Sequence, residues 1–162
     1  MARSPIKQPT KGQAGGRTVG IAIIVLLIVG VFALTLLRNA NRQAADGQAT
    51  DEIAIGKRVY AQQCASCHGI NLEGQPNWQA ELPGGGRLAP PHDLTGHTWH
   101  HPDQQLFDIT KYGGQKFSAP DYKNYMPAYA ERMSDAEIWA VLAYIKSTWP
   151  PNIREAQAKL NP

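Results

Sequence analysis

The sequence predicts an all-α protein: about three to five short helices in one small domain, preceded by a single N-terminal transmembrane helix. Three observations predict it. Residues 19–37 form an uncharged apolar run of nineteen residues. Two stretches, near 50–63 and 134–149, repeat apolar residues at helical spacing. Between 69 and 98 no period is sustained, because Pro76, Pro83, Gly84, Gly85, Gly86, Pro90 and Pro91 interrupt it.

The apolar run comes first in the chain. As a helix it spans about 28 Å, close to the hydrocarbon thickness of a bilayer. Arg3, Lys7, Lys11 and Arg17 precede it and no acidic residue does. Residues 1–18 therefore read as a disordered basic tail on the cytoplasmic side. A cleaved signal peptide is the competing reading. Its apolar core is normally about 7–15 residues, and small-residue cleavage sites are only weakly present near Ala40 and Ala45. The length of the run favours a retained anchor. Residues 38–50 are small and polar, the composition of a flexible linker with a reach of roughly 20 Å. The net charge of +3 comes from this end of the chain. Residues 1–50 hold six Lys or Arg against one Asp, whereas the remainder holds ten against twelve acids. The basic balance thus gives no support to nucleic-acid binding.

Cys64-Ala65-Ser66-Cys67-His68 uses both cysteines of the chain. The C-x-x-C-H spacing lets two thiols each form a thioether with one haem vinyl group, while the histidine sits beneath the iron. Other readings are weaker. A structural zinc site needs a second ligand pair, which the sequence lacks. A thioredoxin-like dithiol belongs in a βαβ surround, and none is visible. A disulfide would close a very short loop and stabilise little. The predicted helices are thus wrapped around one covalent haem.

The domain, residues 51–149, is read helix by helix. Thr50 or Asp51 can cap the first helix, and Ile53, Gly56, Val59 and Tyr60 share one of its faces. Gly56 lowers helix stability, a cost that close approach of another helix would offset. Pro102 and the Gly113-Gly114 pair bracket a second helix, whose Leu106, Phe107 and Ile109 can wall a haem pocket. Ser134 and Glu137 form a capping box for the last helix. Ile138, Val141, Leu142 and Ile145 trace its core stripe, and Trp139 and Tyr144 widen it. Pro150 and Pro151 stop it. Residues 150–162 read as a polar, loosely ordered tail.

The sixth iron position has several candidates. Met126 precedes the turn Pro127-Ala128-Tyr129, which can fix its side chain. Met133 precedes the capping Ser134, where it suits a hydrophobic staple. Met126 is therefore assigned to the iron and Met133 to packing. A thioether ligand favours ferrous iron and raises the reduction potential. With both axial positions filled by His68 and Met126, the iron has no open site, so the chain reads as an electron carrier and not an enzyme.

These motifs, from Gly56 and Tyr60 through C-x-x-C-H, Leu106 and Phe107, Met126-Pro127-Ala128-Tyr129, to Val141 and Tyr144, resemble a class I monohaem cytochrome c in a membrane-anchored bacterial form. The resemblance covers residues 51–149. It implies haem c, crossing N- and C-terminal helices, and a proline carbonyl, from Pro90 or Pro91, accepting the His68 Nδ1–H. It departs from small soluble members in the long loop 69–101. It also implies a haem domain on the periplasmic side of a bacterial inner membrane, passing single electrons from a quinol:cytochrome c oxidoreductase to a terminal oxidase or reductase. No nucleic acid and no small-molecule substrate are expected. Lys111, Lys116 and Lys123 are candidates to steer docking. The rival readings are a haem subunit of a larger membrane oxidoreductase, and a gas- or redox-sensing or metal-binding module.

Residues 90–101 hold four of the five histidines. Three readings stand. His97, Trp99 or His100 can bond haem propionates while His101 caps the next helix. The imidazoles can hold copper or zinc, although no ordered ligand spacing is present. One histidine can also replace Met126 on the iron.

Overall fold

The computed structural model describes residues 15–161, with the side chains of 15–19 and 21–25 left out of the description. The expected basic tail, up to residue 14, lies outside the described residues. Among the described residues five α-helices follow one another: α1 (Gly15–Gln63), α2 (Ala65–His68), α3 (Asp103–Tyr112), α4 (Asp135–Ser147) and α5 (Pro151–Ala158). Two 3-10 turns, Thr98–His100 and Gly114–Phe117, flank α3. The chain divides into two compact units, Met1–Asp46 and Gly47–Pro162.

In the first unit, the described part of α1 from Leu26 to Leu37 leaves its large apolar side chains exposed, from Leu34 at 47% to Leu26 at 71%. Among the described residues no helix is long and apolar enough to cross a membrane. The expected anchor, 19–37, begins among residues whose side chains lie outside the description.

Two sequence expectations are corrected. Residues 38–50 are helical instead of forming a flexible linker. Ala40, Ala44, Ala45 and Ala49, with Arg and Gln between them, are strong helix formers. The helix therefore passes through Thr50 without a cap. The second correction is the tail. Residues 151–158 form α5, begun by Pro151 at a position where its missing N–H is no loss. Gln157 is fully buried, and its Nε2 donates to the His101 carbonyl at 3.1 Å and to Asp103 Oδ1 at 2.6 Å. Asn161 Oδ1 accepts from the Asp103 N–H at 2.7 Å, so the tail satisfies an otherwise open donor at the start of α3. Lys146 of α4 closes the same cluster on Asp103 at 2.6 Å. Polar composition alone hid these contacts, because Gln157 and Asn161 pack through their hydrogen bonds.

The core of the second unit lies between the end of α1, α3 and α4. Val59, Tyr60, Leu106, Phe107, Ile138, Val141, Leu142, Ile145 and Trp149 are all buried. α1 and α4 meet at Gly56, where a Cβ would overlap the Ala140 carbonyl and lie 2.9 Å from Tyr144 Cβ. The predicted close approach is thus present, and its partner is α4. Phe107 stacks on Trp139 at 4.6 Å between centroids, which joins α3 to α4.

The capping box forms as the spacing requires. Ser134 Oγ accepts from the Glu137 N–H at 3.3 Å, and Glu137 Oε2 accepts from the Ser134 N–H at 2.9 Å. Met133 precedes the cap and shares the core with Ile138. Replacing Ser134 by Ala should lower stability by about 1 kcal/mol in denaturant titrations. The Ser134 backbone N–H and then its hydroxyl hold the Glu137 carboxyl below its ordinary value. A lowered folded value stabilises above the unfolded pKa. This contribution should fade as the pH falls below the ordinary carboxylate range, and Glu137→Gln should remove that part of the acid sensitivity.

Candidate haem site

α1 ends at Gln63 and hands the chain to the C-x-x-C-H motif. Cys64 caps α2, and the His68 N–H bonds the Cys64 carbonyl at 2.9 Å. This single turn points His68 inward, 8% exposed, while Cys67 stays exposed and Cys64 is half-buried. Burial, with Cys67 nearby, raises the Cys64 thiol to about 11. Its sulfur is therefore held as a neutral thiol before thioether formation.

His68 Nδ1 lies 2.8 Å from the Pro90 carbonyl. The carbonyl can only accept, so Nδ1 carries the hydrogen and the lone pair is left on Nε2. Burial lowers the His68 pKa and the Pro90 bond opposes it. The ring is thus a neutral ligand with its tautomer fixed, the arrangement that orients a metal-binding histidine. Of the two prolines considered, Pro90 is the one in contact, and Pro91 is buried beside it against Gly96.

Tyr60 reaches the same turn from α1. Its hydroxyl donates to the Gly69 carbonyl at 2.8 Å, with the His68 carbonyl at 3.3 Å. Burial raises its pKa strongly, so it remains a donor. The Tyr60→Phe variant should lose about 1–2 kcal/mol of stability, read by thermal melting, because a partly buried carbonyl loses its partner.

Met126 is half-buried and packs against the core cluster. Its backbone is fixed at both ends. Its N–H donates to Asn124 Oδ1 at 3.0 Å, and its carbonyl accepts from the Gly114 N–H at 3.0 Å. Tyr129 is 7% exposed, and its hydroxyl donates to the Gln63 carbonyl at 2.9 Å. That bond ties the methionine segment to the residue before Cys64. Met133, by contrast, is 5% exposed within the core.

The histidine cluster separates into different surroundings. His92 stacks on His68 with centroids 4.0 Å apart, and its Nδ1 pairs with the Thr98 hydroxyl at 2.8 Å. Its carbonyl accepts from Trp149 Nε1 at 2.8 Å. Burial, then His68 and His97, hold it well below its ordinary pKa. Sequence reasoning left His92 without a role, and no local signal marks a ring stacked on a partner 24 positions away. His97 is exposed and stacks on Trp78, while His100 stacks on Trp99 at 3.6 Å. His101 does not cap α3; its Nδ1–H donates to Gln105 Oε1 at 3.3 Å. Among the described residues no three His, Cys, Asp or Glu converge to hold a metal ion.

Leu106 and Phe107 are both buried, Phe107 with one face on Trp139. The Trp99 Nε1–H is buried without an acceptor among the described residues. A haem carboxylate is the kind of acceptor that such a group requires, since a buried unpaired donor is costly. The residues present therefore fit a haem: two thiols one turn apart, a buried neutral histidine, a pinned methionine segment and an orphan indole donor.

Residues 53–149 match the cytochrome c family. The chain is 33% identical over 69 residues to the cytochrome bc1 complex cytochrome c subunit of Mycobacterium bovis, which covers 43% of this chain and 25% of that one. It is 29% identical over 107 residues to the Cbb3-type cytochrome c oxidase subunit CcoP of Azospirillum brasilense, covering 66% and 31%. It is 35% identical over 97 residues to a thiosulfate dehydrogenase of Stutzerimonas stutzeri, covering 59% and 27%. The chain thus spans about a quarter to a third of the length of these relatives. No solved structure matches. With the family match over most of the second unit and Cys64 and Cys67 in the attachment spacing, the chain belongs to the cytochrome c family and binds haem c covalently.

Proposed function

We propose that this protein is a membrane-anchored carrier of single electrons between respiratory complexes on the periplasmic face of a bacterial inner membrane. The haem supplies a one-electron couple, and the chain supplies its ligands, His68 and Met126. The observation that carries the reading is His68 itself: buried, neutral, and locked by Pro90 with Nε2 left to the iron. The pinned Met126 segment supports a closed sixth position. The exposed apolar side chains of 26–37 support the anchor, since a helix apolar on every side needs an apolar surround. The positive tail before it supports an N-terminus in the cytoplasm.

Docking rests on a smaller lysine set than the sequence suggested. Lys111 is bonded to Asp135 at 2.7 Å, which offsets its charge. Lys116 lies over the Tyr112 ring at 4.1 Å, beside exposed Phe117. Lys116 and Lys123 remain the candidates for steering a redox partner.

A second reading is favoured by the relatives, several of which are named as subunits of respiratory complexes. In it the chain is a fixed haem subunit of a larger membrane oxidoreductase. A redox-titrated absorption spectrum of detergent-extracted protein tests both. A low-spin six-coordinate spectrum with only slow carbon monoxide binding to the ferrous form is expected. Ready carbon monoxide binding would reject the closed carrier and point to a sensing module. Stoichiometric co-purification with other subunits would favour the fixed subunit. Recovery in the soluble fraction, without detergent, would reject the anchor.

A further inference from the structure

The loop 75–89 leads into Pro90, and its base and its tip touch different parts of the haem site. At its base the chain is bound to the His68 side. Gly74 N–H donates to the His68 carbonyl at 2.7 Å, and a Cβ on Gly74 would lie 2.5 Å from the Pro91 nitrogen. Gln75 N–H donates to the Ala89 carbonyl at 3.0 Å, and Ala89 N–H to Gln75 Oε1 at 3.1 Å. The loop is thus closed beside the carbonyl that orients His68.

Its tip is a tight hairpin. Glu81 pairs with Arg87, Leu82 N–H donates to the Gly86 carbonyl at 2.9 Å, and Gly85 N–H to the Leu82 carbonyl at 2.8 Å. Gly85 and Gly86 take φ values of +84° and +76°, which favour glycine. Gly86 is buried, whereas Gly85 before it is half-buried and Arg87 after it is exposed. The cover comes from the segment before Met126: a Cβ on Gly86 would overlap the Lys123 carbonyl and lie 3.1 Å from the Tyr125 ring. The Tyr125 hydroxyl donates to the Gly85 carbonyl at 3.1 Å. Neither contact serves the hydrophobic core.

We propose that residues 75–89 are a strap that holds the Met126 segment against the His68 side, with Gly86 and Tyr125 as positioning residues for the sixth iron ligand. The proposal rests on Met126 being that ligand. From its other side the segment is held by Asn124, whose N–H donates to Gln115 Oε1 at 2.9 Å, and by Gly114. Met126 is then clamped between two anchors, and loosening the strap frees one of them. The sixth position should open more often, without loss of the helical core.

The test uses the full chain with haem attached, in detergent. Carbon monoxide association with the ferrous form reports opening, the sulfur-to-iron band of the ferric form reports ligation, and far-ultraviolet dichroism in denaturant reports the core. Tyr125→Phe, which removes one hydrogen bond and little volume, should raise the association rate about fivefold. Gly86→Ala should raise it more, and Gly84→Ala, with no atom nearer than 3.8 Å to its new Cβ, should not change it. The dichroism midpoint should move little in all three. Unchanged association in both Tyr125→Phe and Gly86→Ala, with Met126→Ala open, overturns the strap and leaves the ligand assignment standing. Opening that only follows a fall in the dichroism midpoint overturns it too. If Met126→Ala itself keeps its band and stays closed, the ligand assignment fails and the strap falls with it.

Discussion

Met126→Ala is expected to abolish the sulfur-to-iron band of the ferric protein and to lower its reduction potential by a sizeable part of the roughly 0.8 V that axial ligands span. A thioether is a soft, neutral donor that favours ferrous iron, so its loss shifts the balance toward the ferric form. The Met126 main-chain N–H is held by Asn124 Oδ1 and its carbonyl by the Gly114 N–H, so the substitution removes the sulfur while the segment keeps its course. Met133→Ala should behave oppositely. Met133 lies in the core beneath the cap of α4, and its truncation should cost about 2–5 kcal/mol while the band survives. A redox titration and a denaturant titration on the two variants separate the roles. Loss of the band in Met133→Ala with retention in Met126→Ala would reverse the assignment.

What could be read beforehand follows from the range of the interactions. The attachment motif, the capping box at Ser134 and the stripe of α4 are local, and each is a spacing within a few residues. Gly56 was legible because a glycine inside an apolar stripe has few explanations. The Pro90 contact was legible only as one of two, since a turn of two prolines does not say which carbonyl faces the histidine. The tail was misread because its anchors, Gln157 and Asn161, are polar residues whose partners lie more than fifty positions away. His92 and the strap were beyond reach for the same reason. Their meaning depends on a ring 24 positions earlier and on a segment some forty positions later. The linker was misjudged by a rule of composition, since small polar residues can extend a helix that is already under way.

Two glycines of α1 make the last prediction, because they share a helix and differ only in what faces them. In an exposed helix interior, Gly→Ala gains about 1 kcal/mol of propensity. At Gly47 the added methyl meets no described atom within 4 Å outside its own helix backbone, so Gly47→Ala should hold or raise the melting temperature. At Gly56 the methyl enters the Ala140 carbonyl and crowds Tyr144. Backbone cannot rotate away as a side chain can, so α1 and α4 must separate. Overpacking of this kind costs about 1–3 kcal/mol or more, which outweighs the propensity gain. Each kcal/mol is worth about 4–8 °C in a domain of this size, so Gly56→Ala should melt clearly earlier. The separation also strains Tyr60, one turn along α1, whose hydroxyl holds the Gly69 carbonyl beside His68. Haem-band melting and helix melting should therefore fall together in Gly56→Ala. Equal melting of the two glycine variants would show that the α1–α4 crossing does not determine the stability of the haem site.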